Sequence, residues 1–394
     1  MRLGVLATHP IQYHAPLYRE LAQRLDLHVY FAHRQTAAGQ ADAGFGVAFE
    51  WDVDLLEGYN HSFLENRSST PGTDTFTGCD TPTIKGIIAR ESFDAFLVTG
   101  WYTKSFWQAM TACWRTRTPL MIRGDSQLGT PRSAVWGIAK EAVYRAFIPR
   151  FDRYLVVGER AREYYVHYGA DPDRMDFVPH FVDNAFFRHH AEAAEWGTPL
   201  RAALGYPDDA LVLLFVGKFI SKKRPLAIVE AVKALRQRGH DARALFVGSG
   251  ELEGEVRAAA EAAAIPAHFA GFQNQTEVPA YYAAADLLVL PSDGGETWGL
   301  VVNEAMACGT PAAVSVAAGC APDLIVEGET GVTFPLDDPP ALAHAVDAFV
   351  PALGSERVAQ ALRSTVDTYS LETAADGVVQ AVQSCRDHSR VPAA

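Results

Sequence analysis

Short apolar runs alternate with stretches of helical period along most of the chain. In the first half, Leu3–Ala7, Leu27–Phe31, Ala95–Val98, Leu120–Ile122 and Tyr154–Val157 are uninterrupted apolar segments of strand length. Between them, apolar positions recur at the 3.6-residue period and predict helices over Ala15–Leu25, Lys104–Arg115, Ser133–Phe147 and Arg160–Tyr168. Short buried strands alternating with helices imply a parallel, doubly wound sheet. Residues 33–90 break the pattern, being rich in Gly, Thr, Ser and Asp. A long irregular stretch in a compact domain is usually functional or mobile. The second half repeats the architecture without repeating the sequence. Leu211–Val216, Ala244–Val247, a run ending at His268-Phe269, and Leu287–Leu290 read as strands, and Val278–Ala284 as a helix. A helical run from Thr297 to Cys308 is stopped by Gly309-Thr310-Pro311, and an apolar strand follows. The last helix, Leu371–Cys385, starts at a Ser370 cap and carries an apolar stripe at Leu371, Ala374, Ala375, Val378, Val379 and Val382.

Composition bounds this picture. A chain of 394 residues, 48% of them hydrophobic, can bury a core in each of two domains. A formal charge of -13 argues against general nucleic-acid binding. The five cysteines show neither metal-type spacing nor an even disulfide framework, which reads as a reducing cytoplasm. The first residues run straight into a strand and turn polar after Thr8, unlike a signal peptide. No apolar run reaches the length of a membrane span. The helix at Ser133–Phe147 combines apolar residues with Lys140, Arg145 and Arg150 after it. Peripheral contact with a membrane surface is one reading; packing on the sheet is favoured by Glu141 and the acidic total.

Doubly wound sheets bind ligands at the carboxyl ends of their strands. The richest such end is Ser292–Ser315, where a Gly294-Gly295 turn precedes Glu296 and Glu304, which are separated by seven residues. A helix start after a glycine turn offers free N–H groups and a positive dipole end, suited to a diphosphate. Eight helical residues rise about 12 Å, so both carboxylates are expected on roughly one side of the helix. Carboxylates beside an anion site are tolerable when they accept hydrogen bonds from hydroxyls, which points to a nucleotide sugar. After Leu211–Val216, the loop from Gly217 carries Lys218, Lys222, Lys223 and Arg224, cations suited to a leaving diphosphate. In the first half, the strand end Thr8–His14 offers His9, Gln12 and His14 to sugar or phosphate groups. Asp125, after Leu120–Ile122, is an acceptor-side candidate against an ordinary turn cap. Trp101 could stack on an acceptor sugar or simply pack in the core. Gly248-Ser249-Gly250 follows a strand, but Gly254 is out of register with a dinucleotide fingerprint.

The run Glu296-Thr297-Trp298-Gly299-Leu300-Val301-Val302-Asn303-Glu304, with its Glu304-Ala305-Met306-Ala307-Cys308-Gly309-Thr310-Pro311 tail, resembles the E-x7-E motif of retaining family-4 glycosyltransferases. Gly217-Lys218 through Lys223 resembles that family's G-R-x-x-x-x-K-G segment, with Lys218 for Arg and Arg224 for Gly. Glu327-Gly328-Glu329-Thr330-Gly331 matches a further turn, and Asp323 stands where Glu is usual. Phe177 to Asp183 resembles the V-P-N-G-V-D segment closing the first domain, with His180-Phe181 for Asn-Gly. The resemblance implies an α/β GT-B fold, two Rossmann-like domains facing across a cleft. It implies an acceptor domain over 1–187, completed by a helix over 371–386, and a nucleotide-sugar domain over 200–368. It also implies retaining transfer from a UDP- or GDP-linked sugar to a glycan, lipid-linked or small-molecule hydroxyl, without a metal or other cofactor. Lys218, Lys223, Glu296 and Asp125 would take part in catalysis. Gly217, Phe272, Thr297, Trp298, Gly299, Leu300 and Glu304 would bind the donor. His9, Gln12, His14 and Trp101 would face the acceptor. The first half matches weakly: the usual Gly-rich turn is replaced by His-Pro-Ile-Gln-Tyr-His, and the usual His-Asp pair by Gly124-Asp125. A silent nucleotide-sugar or glycan-binding protein, an epimerase or a phosphorylase on the same frame are the alternatives.

Overall fold

The computed structural model describes residues 1–35, 54–130, 134–192, 197–336 and 338–390. A first parallel sheet contains β1 (Arg2–Ala7), β2 (Asp26–Phe31), β3 (Asn60–Phe63), β4 (Ala95–Val98), β5 (Leu120–Gly124), β6 (Arg153–Val156) and β7 (Met175–Phe177). Its order is β3-β2-β1-β4-β5-β6-β7. A second parallel sheet contains β8 (Leu211–Val216), β9 (Ala242–Val247), β10 (Ala267–Phe269), β11 (Leu287–Leu290), β12 (Ala312–Ser315) and β13 (Gly331–Phe334), in the order β10-β9-β8-β11-β12-β13. Strand order reverses between β1 and β4, and again between β8 and β11. Such switch points leave a crevice beyond the strand ends. Helices cover both sheets, so the central strands are apolar on both faces and β4, for example, is buried throughout.

The helix Leu371–Arg390 returns to the first sheet. Its Ala374, Ala375, Val378, Ala381 and Val382 are buried in one cluster with Leu3, Val5, Leu97, Met121 and Leu155. Gly377 permits this close approach, since a Cβ there would lie 2.1 Å from the Phe177 carbonyl oxygen. Burying each valine is worth about 1.5–3 kcal/mol. The second sheet has its own cluster.

At the expected end of the first domain, Val182 and Phe187 pack in the second cluster, and Phe187 meets Tyr282 at 6.4 Å between ring centroids. The span 33–90 is not wholly irregular, since it holds β3 and a helix over Thr83–Arg90; its residues 36–53 lie outside those described. The helix expected from Ser133 is observed over Ala134–Phe147, and residues 131–133 lie outside those described. One face of its later half is packed inward. Tyr144 and Phe147 meet Trp101, while the Lys140 ammonium sits over the Tyr144 and Tyr164 rings. Val143 on this helix is exposed. Among the described residues, no helix is long and apolar enough to cross a membrane.

Candidate active site

The loop after β11 is shaped by local turns. Asp293 Oδ1 accepts from the Gly295 N–H at 2.8 Å, and the Asp293 carbonyl accepts from the Glu296 N–H at 2.9 Å. Gly299 then takes φ 112°, a conformation that L side chains rarely adopt. A Cβ there would lie 2.5 Å from Leu290 Cδ2. The helix therefore starts at Leu300 and runs to Ala307, not from Thr297. Glu296 stands before it in the loop and Glu304 on its body, so the two carboxylates do not share a helix face.

Each carboxylate has a distinct setting. Glu296 is buried, accepts from the Ser292 hydroxyl at 3.2 Å and forms an ion pair with the Lys223 ammonium. Lys218, half-buried beside Lys222 and Lys223, is held below the usual lysine range by burial and then by those two charges. Arg224, where the family carries Gly, adopts φ 49°, which accounts for a glycine preference at that position. Glu304 Oε1 accepts from the Tyr13 hydroxyl at 2.8 Å and Oε2 from the Tyr282 hydroxyl at 2.5 Å. Burial pushes the Glu304 carboxyl up to about 7, against the lowering pull of both phenols and of Lys223.

The first domain supplies the opposite wall. Thr297 Oγ1 donates to Asp125 Oδ2 at 2.7 Å, joining the domains. His180 Nε2 stands 3.9 Å from the same oxygen and makes no hydrogen bond among the described residues. Burial, then the Arg123 charge, keeps its imidazole well below the ordinary histidine range, so it is neutral. His14 is lowered to about 3 by burial, with Arg123 and His180 adding to the effect. His9 is lowered to about 4 by burial and by His33. Gln127 is buried and donates to the carbonyls of Gly294 at 2.8 Å and Glu296 at 3.1 Å. At the seam, Asp323 accepts from the Glu159 N–H at 3.0 Å and from the Tyr369 hydroxyl at 2.9 Å.

A cavity of about 130 Å³ between the domains is lined by Gln12, Tyr13, Gly217, Phe272, Val301 and Glu304, among others. A larger hollow of about 760 Å³ opens beside the amino ends of β5 and β6, away from these strand ends. The small cavity gathers Gly217, Phe272 and Glu304 as the sequence suggested, but it also takes Gln12, which was expected on the acceptor side. Two aromatic candidates are placed differently. Trp101 does not offer a free platform: it stacks on Tyr164 and donates its indole N–H to Tyr144 Oη at 3.0 Å. Its neighbour Tyr102 is the exposed ring. Trp298 is buried in the seam against His180 and Tyr369, and its indole donates to Asn303 at 2.8 Å. Tyr13, Gln127, His180, Ser292 and Tyr282 were not singled out from sequence as site residues. His180 and Tyr13 had a signal, since both stand in segments that depart from the family's pattern.

Comparison with known proteins fits this geometry. Residues 198–352 match the family model described as "Glycosyl transferases group 1", and residues 15–186 match "Glycosyltransferase Family 4". A D-inositol 3-phosphate glycosyltransferase of Thermomonospora curvata is 32% identical over 260 residues, covering 61% of this chain and 58% of that protein. One from Streptomyces coelicolor is 30% identical over 322 residues, covering 74% of this chain and 68% of that one. Across the first few such relatives, the chain spans somewhat over half of their length. Among solved structures, a glycosyltransferase from Rickettsia africae superposes with a TM-score of 0.74 at 16% identity, covering 98% of both chains. Anabaena HepE in complex with UDP and glucose gives 0.70 at 15% identity, covering 98% of this chain and all of that one. The chain belongs to the family-4 glycosyltransferases, and its two facing Rossmann-like domains form the GT-B fold.

Proposed function

We propose that the protein transfers a sugar, with retention, from a UDP- or GDP-linked donor to a hydroxyl of a glycan, lipid-linked or small-molecule acceptor. One observation carries this reading: Glu296 and Glu304 flank a loop pair that brings Lys223, Lys218 and the Gly299–Leu300 turn together. The diphosphate would lie against that turn, facing the lysines. Glu296 would hold hydroxyls of the transferred sugar and Glu304 those of the ribose, with the base beside Phe272. As the bond from the anomeric carbon to the phosphate oxygen breaks, the acceptor oxygen bonds to that carbon on the same face. The acceptor proton passes to the departing phosphate, so no protein nucleophile and no metal are needed. Lys223 and Lys218 would stabilise the charge that develops on the leaving group. Asp125, beside His180 and Thr297, would orient the acceptor hydroxyl. His9 and His14, both neutral at pH 7, would face the same side. The names of the relatives and the UDP bound to HepE support a nucleotide-sugar donor. A cytoplasmic site of action, with peripheral contact to the inner face of a membrane, would suit a lipid-linked acceptor.

The test is nucleotide release from UDP- and GDP-sugars with and without acceptor, with the anomeric configuration of the product read by NMR. Acceptor-dependent release with retained configuration supports the reading. Tight nucleotide binding without any release would instead indicate a silent binding protein. Release requiring inorganic phosphate would indicate a phosphorylase, and isomerisation without acceptor an epimerase.

A further inference from the structure

Tyr13 belongs to the first domain, on the turn just before the helix Ala15–Arg24, yet its hydroxyl ends on a carboxylate of the second domain. The other Glu304 oxygen is taken by Tyr282, a fully buried side chain of the second domain's own core. Both oxygens that would receive ribose hydroxyls are thus engaged by phenols. The cavity beside them measures about 130 Å³, well under the roughly 300–1,000 Å³ of an ordinary small-molecule site. Tyr13 and Gln12 form its first-domain wall, and Tyr282 is locked in place behind Glu304. A nucleoside therefore has room only when Tyr13 withdraws.

We propose that Tyr13 is a donor-affinity residue: its hydroxyl holds the place of a ribose hydroxyl on Glu304, and the nucleotide must displace it to bind. This rests on the nucleotide-sugar reading above and assigns a new role within it. Tyr13 lies between Gln12 and His14 on the strand end that also carries His9. Its displacement would move the segment that faces the acceptor. Donor arrival is thereby coupled to rearrangement of the acceptor side, which favours binding of the donor first.

The test is calorimetric titration of UDP and GDP into the wild type and Tyr13→Phe. Phenylalanine keeps the ring and its packing and removes only the competing donor. Tyr13→Phe is expected to bind whichever nucleotide the wild type binds about threefold to tenfold more tightly, the worth of one competing hydrogen bond. The same nucleotide lacking both ribose hydroxyls must still push Tyr13 aside, so it should bind both proteins more weakly than the normal nucleotide yet gain from Tyr13→Phe by a similar factor, a gain that a merely structural role for Tyr13 would not produce. Unchanged or weaker binding of the normal nucleotide by Tyr13→Phe, with melting temperature preserved, would overturn the proposal. Should that variant fold poorly, Tyr13→Leu gives the same comparison, and weaker binding there would count against it equally. If neither UDP nor GDP binds either protein, the donor reading itself fails and takes this assignment with it.

Discussion

The two walls of the cleft are built on different principles. The second-domain wall carries a buried charge pair, Lys223 on Glu296, and a buried carboxylate, Glu304, which accepts from its own domain's Tyr282 and from Tyr13 across the cleft. The first-domain wall has neutral imidazoles at its floor, where burial and the Arg123 charge strip His14 and His180 of their protons, with the Asp125 carboxylate beside them. Charge fixed in a buried place costs desolvation free energy, and it persists where a charged ligand offsets that cost. A diphosphate is such a ligand. A hydroxyl is not, and needs hydrogen-bonding groups at the right distance rather than compensating charge. On the proposed function, the contrast teaches that one wall would suit a group common to all nucleotide sugars, and the other the acceptor hydroxyl.

The contrast can be broken most sharply at Lys223. Lys223→Ala should lower turnover by ~10²–10³ if the ammonium stabilises the leaving diphosphate, measured as nucleotide release at saturating donor. A loss confined to KM would move Lys223 out of the chemical step. Next in size, Glu304→Gln should weaken UDP or GDP binding by roughly tenfold or more, because hydrogen bonds to a charged acceptor are worth about 1.5–3 kcal/mol. Unchanged nucleotide affinity by calorimetry would remove Glu304 from ribose binding. On the other wall, Asp125→Asn keeps an acceptor for Thr297 and removes the charge. It should raise the acceptor KM about fivefold to tenfold, the worth of one lost hydrogen bond, while the nucleotide Kd stays put. Equal movement of both constants would erase the division between the walls. The smallest effect is one of pH. Burial lowers His14 to about 3 from an ordinary 6.5, so the native state excludes a proton that the unfolded chain binds. The stability from this site is fully present above pH 6.5 and is lost as pH falls towards 3. Between pH 6.5 and 5, the wild type should lose on the order of 1 kcal/mol more than His14→Gln, read from urea melts. Parallel pH profiles would show that His14 is not kept neutral.

The two walls also differed in how far the residues announced them. Strands such as β4 and β8 were legible because buried parallel strands are bare apolar runs. β3, with the sequence Asn-His-Ser-Phe at a sheet edge, carries no such run and went unseen. The elements proposed to hold the diphosphate were readable because each lies in one contiguous segment. The start of the helix carrying Glu304 was misplaced because Thr297 and Trp298 have acceptable helical propensity, and only the packing of Gly299 on Leu290 shows why the chain cannot coil there. The partners of Glu304 could not be read at all: Tyr13 lies 291 positions away and Tyr282 lies 22 away. Trp101 failed as a platform for a related reason. Its stacking partner, Tyr164, comes from a different helix.

Glu296, Thr297 and Trp298 point three ways: to Lys223, to Asp125 and into the seam beside His180. A Cβ at Gly158 would lie 2.4 Å from the Trp298 ring, so the first domain is relieved to accommodate the indole. This constrains anyone recombining halves of such enzymes to change their acceptors. A chimera that grafts a foreign amino-terminal half onto this carboxy-terminal half inherits the tryptophan. It must import, as one package, a small residue at 158, a compatible ring at 180 and a hydroxyl acceptor at 125, or the hybrid's halves will not seat.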